Sequence, residues 1–507
     1  MREPALPAGA TGRPLPDRGR QARPARAAER SAERRADASL EDGLFLLLLA
    51  ELAFAPFWFG GNRPFAWMVN AVVWSGLILA YEAALTFKRR PYPVPPARLA
   101  PVLALMACVL AWILAQCSPL MPVGMHNPLW PLAAGALDMP VGGAISIDPD
   151  TTKLALLTLL PPAAAFWLAL QLGRESRRAR LAVLGFAGIS AAYAAYAIFS
   201  LGWFPTRLLW VRKEYYLDSA TGTFVNRNSY ATYAGMGLLA SLSALSSMIA
   251  RIHDSAYSWK RWISLLLTRS AIVPGLLLCA VMLNGMALML TGSRAGIASS
   301  LLGVIVYYLL HTCRKGFRWP QAVSLGAAAL VILVVVLQYD DLVSQRLQAQ
   351  GVLDAVRLAI LRLGLTALGD QPLAGFGFGT FEESFRLYRD ASLPGALLID
   401  KAHNTYLEAA LGLGLPAFAL LMAALILLVA LCVRGSLIRR KDEEIPLLAA
   451  AVSVTVGVHA MVDFSLQMQG VAVTYAMLLG VGASQSWPSE KPAADAARAA
   501  IRRPAGL

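Results

Sequence analysis

Charge is scarce in this chain, and acid is scarcer than base. Of 507 residues only 15% are Asp, Glu, Lys or Arg, with 31 acids against 45 bases. Apolar residues make up 57% of the chain and the mean hydropathy is +0.55. A water-soluble domain cannot bury that apolar share, so the chain reads as an all-α, polytopic membrane protein. Cysteine is also rare. Cys108, Cys117, Cys279, Cys313 and Cys432 fall within apolar spans or at their ends, and none forms a CxxC pair. That spacing excludes a disulfide framework and a thiolate metal site and leaves packing residues. A cleavable signal peptide is not expected, because the first 40 residues are polar and precede a true span. No long-period repeat is visible. The run Gly375-Phe376-Gly377-Phe378-Gly379 has no parallel-sheet context, so it reads as a flexible turn and not as a phosphate-binding fingerprint. The formal net charge of +14 sits in short loops and tails. Membrane orientation and anionic headgroups account for it, which sets nucleic acid aside as a partner.

What the chain does have is a succession of about twelve apolar runs, each near the roughly 20 residues that cross a bilayer core. They fall at 42–60, 64–86, 99–119, 151–172, 181–202, 228–250, 271–292, 295–312, 320–338, 404–433, 445–466 and 469–486. Three domains follow: a disordered basic cytoplasmic tail over 1–40, a transmembrane domain over 41–486, and a second cytoplasmic tail over 487–507. Two outer loops exceed simple connectors. Residues 120–150 are proline-rich and read as an irregular interfacial segment. Residues 339–402 form a large periplasmic loop. In it, Leu353–Leu368 carries Arg357 and Arg362 among apolar residues, as an interfacial amphipathic helix does.

Alternation of the spans sorts the charges. Lys88, Arg89 and Arg90, then Arg174, Arg177, Arg178 and Arg180, share one side with Arg251, Lys260 and Arg261. Arg314, Lys315 and Arg318 join them, as do Arg434, Arg439, Arg440 and Lys441. The positive-inside rule makes that side cytoplasmic and places both termini there. Arg207, Arg212, Lys213, Arg227 and Arg294 lie against the rule, near the opposite face. A charge held at such a place calls for a partner, and an anionic substrate is one.

Four short motifs land on that outer face. Gly222–Tyr230 contains Asn226, Arg227 and Asn228, and Thr291–Gly296 contains Ser293 and Arg294. His403-Asn404-Thr405-Tyr406 opens the tenth span, and His459–Phe464 closes the eleventh. An unpaired guanidinium within a span costs about 2.5–3.5 kcal/mol on insertion scales. Its planar fork of donors matches phosphate oxygens two at a time, so a polyanionic headgroup would offset that cost. The plain alternative is an arginine snorkelling to lipid phosphates. His403 reads either as an interface residue or as a neutral imidazole that takes a proton from a sugar hydroxyl. Diphosphate is a good leaving group, so such a transfer needs a base on the acceptor and cations on the departing charge, with no metal or cofactor. Asp340-Asp341 is the competing carboxylate pair, read as a solvated helix end. His459 and Asp463, one turn apart on one helix face, read as a structural pair.

These blocks, in this order, resemble the O-antigen ligase and polymerase superfamily of bacterial inner-membrane proteins. Ser146–Thr151, Pro372–Gly377 and the His459–Gln467 stretch add to the likeness, which spans roughly residues 145–470. The resemblance implies transfer of a saccharide from an undecaprenyl-diphosphate donor to a hydroxyl of lipid A–core or of a growing glycan, at the periplasmic face. It implies that Arg227 and Arg294 grip the diphosphate, that His403 is the base, and that Arg357 belongs to a lid-like segment. It implies too that Asn226, Asn228, Ser293, Asn404 and Tyr406 support the site. His403 is followed by ten residues and then Gly414, which fits the ligase type, whereas Leu361 replaces an aromatic that many relatives carry after the arginine. Two other classes stay open: a lipid-linked-glycan transporter, expected to show inverted repeats and mid-membrane charge, and a scaffold for polysaccharide assembly.

Overall fold

The computed structural model describes residues 39–255, 272–315, 326, 340–395 and 398–488. Expectations for the two tails and for the span at 320–338 fall largely or wholly outside them. The chain divides into two compact units, Met1–Leu46 and Leu47–Leu507. Of the first unit only the start of a helix over 39–54 (α1) is described. In the second unit the order is α2 (Pro64–Phe87), α3 (Ala100–Gln116), α4 (Leu129–Leu137), α5 (Pro149–Leu172) and α6 (Ser176–Trp203). A two-residue hairpin follows, β1 (Arg207–Leu208) with β2 (Val211–Arg212), then α7 (Arg227–Ser255), α8 (Ile272–Leu290) and α9 (Arg294–Lys315). Next come α10 (Asp340–Asp370), α11 (Phe381–Phe385), α12 (Thr405–Leu413), α13 (Leu415–Ile438), α14 (Glu444–His459) and α15 (Gln469–Ser484).

Eight of the described helices are long and apolar enough to span a membrane, and α14 and α15 are shorter apolar helices. Within the spanning window α7 is 72% buried, against 22% for α13, so α7 runs through the interior and α13 faces outward. In an apolar surround the helices are tied by close approach and by polar cross-links. A Cβ on Gly480 of α15 would lie 2.5 Å from the Phe166 carbonyl of α5. Asn70 of α2 donates to Gln469 at 2.6 Å, and Asn284 of α8 to Ser190 of α6 at 3.2 Å.

Three of the basic loops that the alternation put on one side meet at one end. Arg174 donates to the carbonyls of Ser484, Trp487 and Pro488, Arg314 donates to that of Ser436, and Arg180 pairs with Asp442 at 2.8 Å. The opposite end carries the four motifs.

Four expectations change. The run 404–433 is not one span: it breaks at Gly414 into α12 and α13, because Gly414 takes φ +76° between Leu413 and Leu415. The amphipathic segment is longer than Leu353–Leu368, since α10 runs from Asp340 to Asp370. The 120–150 segment is not wholly irregular, because it contains α4. The Gly-Phe-Gly-Phe-Gly run is not a flexible turn. Phe376 N–H donates to Leu411 O and Gly377 N–H to Gly412 O, while Phe376 O accepts from Ile147. Gln116, at the end of α3, donates to Ala374 O and Gly412 O at 2.8 Å each and accepts from Phe378 N–H at 3.1 Å. A Cβ on Gly375 would lie 2.5 Å from the Gly414 nitrogen, so glycine there permits the backbones to touch.

Candidate functional site

Arg227 and Arg294 are the first residues of α7 and α9. A helix start carries partial positive charge and unsatisfied N–H groups, which suits an anion and disfavours a cation. Two neighbouring helices that both open on arginine concentrate positive potential in one place. They are neighbours because a Cβ on Gly296 would come within 2.5 Å of Ala231 Cβ, one turn into each helix. Polar side chains shape both starts. Asn226 Oδ1 accepts from Asn228 N–H at 2.7 Å, and Ser293 Oγ accepts from Gly296 N–H at 3.2 Å. These two supporting residues are therefore caps.

The loop before α7 folds back on the arginine. Arg227 donates to Ser219 Oγ at 3.3 Å, and its guanidinium lies 5.2 Å from the Tyr216 ring centroid, a cation–π contact. Lys213 reaches the same residue and donates to Ser219 O at 2.9 Å. Burial pulls the Lys213 ammonium down to about 8, against the opposing pull of Asp218. Ala220 N–H donates to Leu290 O at 2.9 Å, so this loop docks on the end of α8 just before the Arg294 turn.

His403 precedes α12. Asn404 caps that helix, accepting from Leu407 N–H at 3.0 Å. Thr405 N–H donates to Ala460 O at 2.9 Å and its hydroxyl to Asp463 O at 2.8 Å. Tyr406 donates to Gly457 O at 2.8 Å, while the glycine run and Gly414 hold the other end of α12. His403 itself sits at φ +52°, which is strained for a residue with a side chain. Its ring packs edge-on against Phe464 at 5.1 Å. Its Nδ1 is buried and has no hydrogen-bond partner among the described residues. Burial first, then the Arg357 guanidinium, lowers its pKa from the usual 6.5, against Asp463, Asp400 and Glu408.

Arg357, on α10, is half-buried and acts electrostatically on His403, His459 and Tyr216 alike. An apolar cluster holds α10 there, with Ile360, Leu363 and Ala367 packed among Phe376, Phe381, Phe385, Ala402, Leu407 and Leu411. Leu361 packs against that cluster too, so the departure from the usual aromatic is absorbed as ordinary packing. Arg362 instead pairs at the surface with Asp390 at 3.0 Å.

The expected His459–Asp463 helical pair takes another form. Helix α14 ends at His459, and Asp463 lies beyond it. The two are joined through hydroxyls. His459 Nδ1 meets Thr232 Oγ1, Thr232 reaches Ser465 Oγ at 2.9 Å, and Ser465 donates to the Asp463 carboxylate. Asn228 donates to the same carboxylate at 3.4 Å. Asn228 thereby ties the Arg227 turn to the segment on which Thr405 docks. Among the described residues no three His, Cys, Asp or Glu side chains gather as a metal-ligand set.

The structure thus brings Arg227, Arg357 and Asp463 around Tyr216, sets His403 within electrostatic reach of the same Arg357 and Asp463, and starts Arg294 on the helix adjoining that of Arg227. The Arg294 side chain is exposed. Tyr216, Ser219, Thr232 and Ser465 were not singled out from the sequence. Lys213 was visible only as a cation on the wrong face.

Apolar helices long enough to cross a membrane, with cations and a histidine gathered at one end of the bundle, define the class as a polytopic membrane protein. Residues 277–422 match the O-antigen ligase family model. That match covers under a third of the chain and supports the likeness to the O-antigen ligase and polymerase superfamily, whose members are membrane proteins of polysaccharide biosynthesis. It takes in Arg294, Arg357 and His403, while Arg227 and Asp463 lie outside it. No curated protein matches the chain.

Proposed function

We propose that this protein is a glycosyltransferase of the O-antigen ligase type, acting at the periplasmic face of a bacterial inner membrane through about twelve spans. The observation that carries the reading is the pair of adjoining helices that open on Arg227 and Arg294, with Arg357 acting both on Tyr216, against which Arg227 packs, and on His403. The donor is a saccharide on undecaprenyl diphosphate. Arg227, Arg294 and Arg357 hold the diphosphate, and Lys213 adds charge beside Arg227. His403, neutral near pH 7, accepts the proton of the acceptor hydroxyl. The acceptor oxygen then bonds to the anomeric carbon as the bond to the diphosphate oxygen breaks, inverting that carbon. The electron pair leaves on the diphosphate, where the guanidiniums stabilise it. Because that leaving group departs readily, the transfer runs without a metal or cofactor. The acceptor belongs to lipid A–core or to a growing polysaccharide.

The reading is tested with purified protein in lipid, a lipid-diphosphate glycan and lipid A–core or glycan acceptor. His403→Ala should lower the transfer rate by about 10²–10⁴. The parental rate in a folded His403→Ala protein would remove that residue as the base. In cells lacking the protein, full-length polymer left on its lipid carrier beside bare core identifies a ligase. Single repeat units on the carrier identify a polymerase.

A further inference from the structure

Two of the cations on the unexpected face, Arg207 and Arg212, take no part in the site above. They stand directly opposite each other in the two-residue antiparallel ladder, with Leu208 paired to Val211. Opposite residues project from the same face of a ladder, with Cβ atoms about 4.5–5.5 Å apart, and like charges there repel. Both arginines are exposed, and among the described residues no carboxylate pairs with either. An anion held between them turns that repulsion into attraction, because each guanidinium offers two parallel donors to phosphate oxygens.

The hairpin that presents them is firmly seated. Trp210, in its turn, lies 5.5 Å from the rings of both Trp58 and Phe59 and 6.3 Å from that of Phe57. Leu208 is buried beneath it. Arg207 N–H donates to Phe204 O at 2.9 Å, and Lys213 N–H to Thr206 O at 2.8 Å. The neighbouring Leu209 is held at φ +54°, a strain that this packing sustains.

Beside Arg207 lies a cavity of about 180 Å³, lined by Tyr196, Phe199, Ser200, Phe204, Arg207 and Leu209. Complete small-molecule pockets run to about 300–1,000 Å³. This one has room for a phosphate and the first carbons attached to it, the rest of the ligand lying elsewhere. What surrounds it is apolar and outward-facing: Phe199, Trp203, Phe204 and Trp210 are all exposed, at the end of a span. Exposed tryptophans and phenylalanines at a span end lie at the level of lipid headgroups. A glycerophospholipid has its phosphate at that level and its remaining carbon in the bilayer.

We propose that the Arg207–Arg212 hairpin is a binding site for an anionic glycerophospholipid, separate from the site of Arg227 and His403. The headgroup phosphate lies between the two guanidiniums, and the adjoining carbons enter the cavity against Phe199 and Phe204.

The test uses the full chain in phosphatidylcholine nanodiscs carrying a trace of phosphatidylglycerol with a photoactivatable group near its headgroup. Crosslinked peptides are then mapped by mass spectrometry. Labelling is expected to concentrate in residues 196–212 and to exceed that by a matched phosphatidylcholine probe at least threefold. It should fall at least fivefold in Arg207→Gln/Arg212→Gln and return in Arg207→Lys/Arg212→Lys, which keeps the charges. Equal labelling by the two probes, or no change in the glutamine variant, would reduce the hairpin to a plain interfacial belt and overturn the proposal. Displacement of the probe by farnesyl diphosphate at lower concentration than by phosphatidylglycerol would give the site to a lipid-diphosphate and overturn it as well. Since transfer activity is not the readout, these outcomes stand apart from the fate of the glycosyltransferase reading.

Discussion

Tyr406 donates its hydroxyl to the Gly457 carbonyl at 2.8 Å, and so ties the short helix after His403 to the helix that ends at His459. The bond adds to the hold that Asn404, Thr405 and the packed Leu407 already have on the start of α12. Tyr406→Phe should lower stability by about 0.5–1.5 kcal/mol, the net worth of one such bond. It should leave transfer within about tenfold of the parent. A thermal midpoint measured in detergent alongside the transfer rate checks both; an unchanged midpoint removes the tether.

The acidity of the site gives a second prediction. His403 serves as a base only when neutral, and burial and Arg357 hold its pKa below 6.5. Activity is therefore kept at neutral pH and lost as pH falls through that lowered value. The acid limb of kcat/KM, which reports the free enzyme, should have its midpoint below pH 6.5. Arg357→Gln removes one cause of the lowering, so the midpoint should move upward in that variant. A pH–rate profile of the two proteins decides; an acid limb at or above 6.5 in the parent contradicts the burial of the ring.

Lys213 supplies the alkaline counterpart. Its ammonium titrates near 8, and both it and Arg227 bind Ser219. In the proposed reaction it would add a positive charge to the grip on the diphosphate below that pH, and above it the charge is gone. The donor KM should rise between pH 7 and 9 in the parent, with little change in kcat. Lys213→Met should show the raised KM at every pH, and Lys213→Arg should keep the low one. A KM that is flat across this range in the parent separates Lys213 from donor binding.

Gly414 carries a backbone demand of its own. At φ +76°, a Cβ there would lie 2.2 Å from the Leu373 carbonyl oxygen. Gly414→Ala should cost more than about 1 kcal/mol, since strain and clash act together. Loss of folded protein on size exclusion, or a lowered thermal midpoint, is the expected result. A fully stable alanine variant would mean that α12 and α13 tolerate another junction.

The sequence made the apolar helices and the outward cations legible, because hydropathy and charge are read residue by residue. It did not reveal the break at Gly414. Leu413-Gly414-Leu415-Pro416 is apolar enough to pass for the middle of a span, and a positive φ leaves no mark on hydropathy. The glycine run was misread for a similar reason. Its partners are Gln116, Ile147 and Gly412, which lie far off along the chain, so no local pattern announces them. His459 and Asp463 were recognised as neighbours, but Thr232 and Ser465, which join them, are small hydroxyls indistinguishable in sequence from any others. Arg227, Arg294 and His403 stood out because charge and imidazole are conspicuous in so apolar a chain.

The interior position of α7 bears on how this protein can change over time. The helix that opens with Arg227 is also the most enclosed of the eight long spans, and its small residues meet neighbours at contact distance. A Cβ on Gly235 would fall 2.1 Å from Ser300 Oγ, and one on Gly237 2.6 Å from Ser190 Cβ. Outward-facing α13 can exchange one aliphatic residue for another with little consequence, whereas a single added methyl on α7 disturbs α6 or α9 and, through them, the arginine at its head. In a saturation library, intolerance would run as a stripe down α7, well away from any group that touches substrate. Lineages would diverge freely at the lipid surface while keeping that axis fixed.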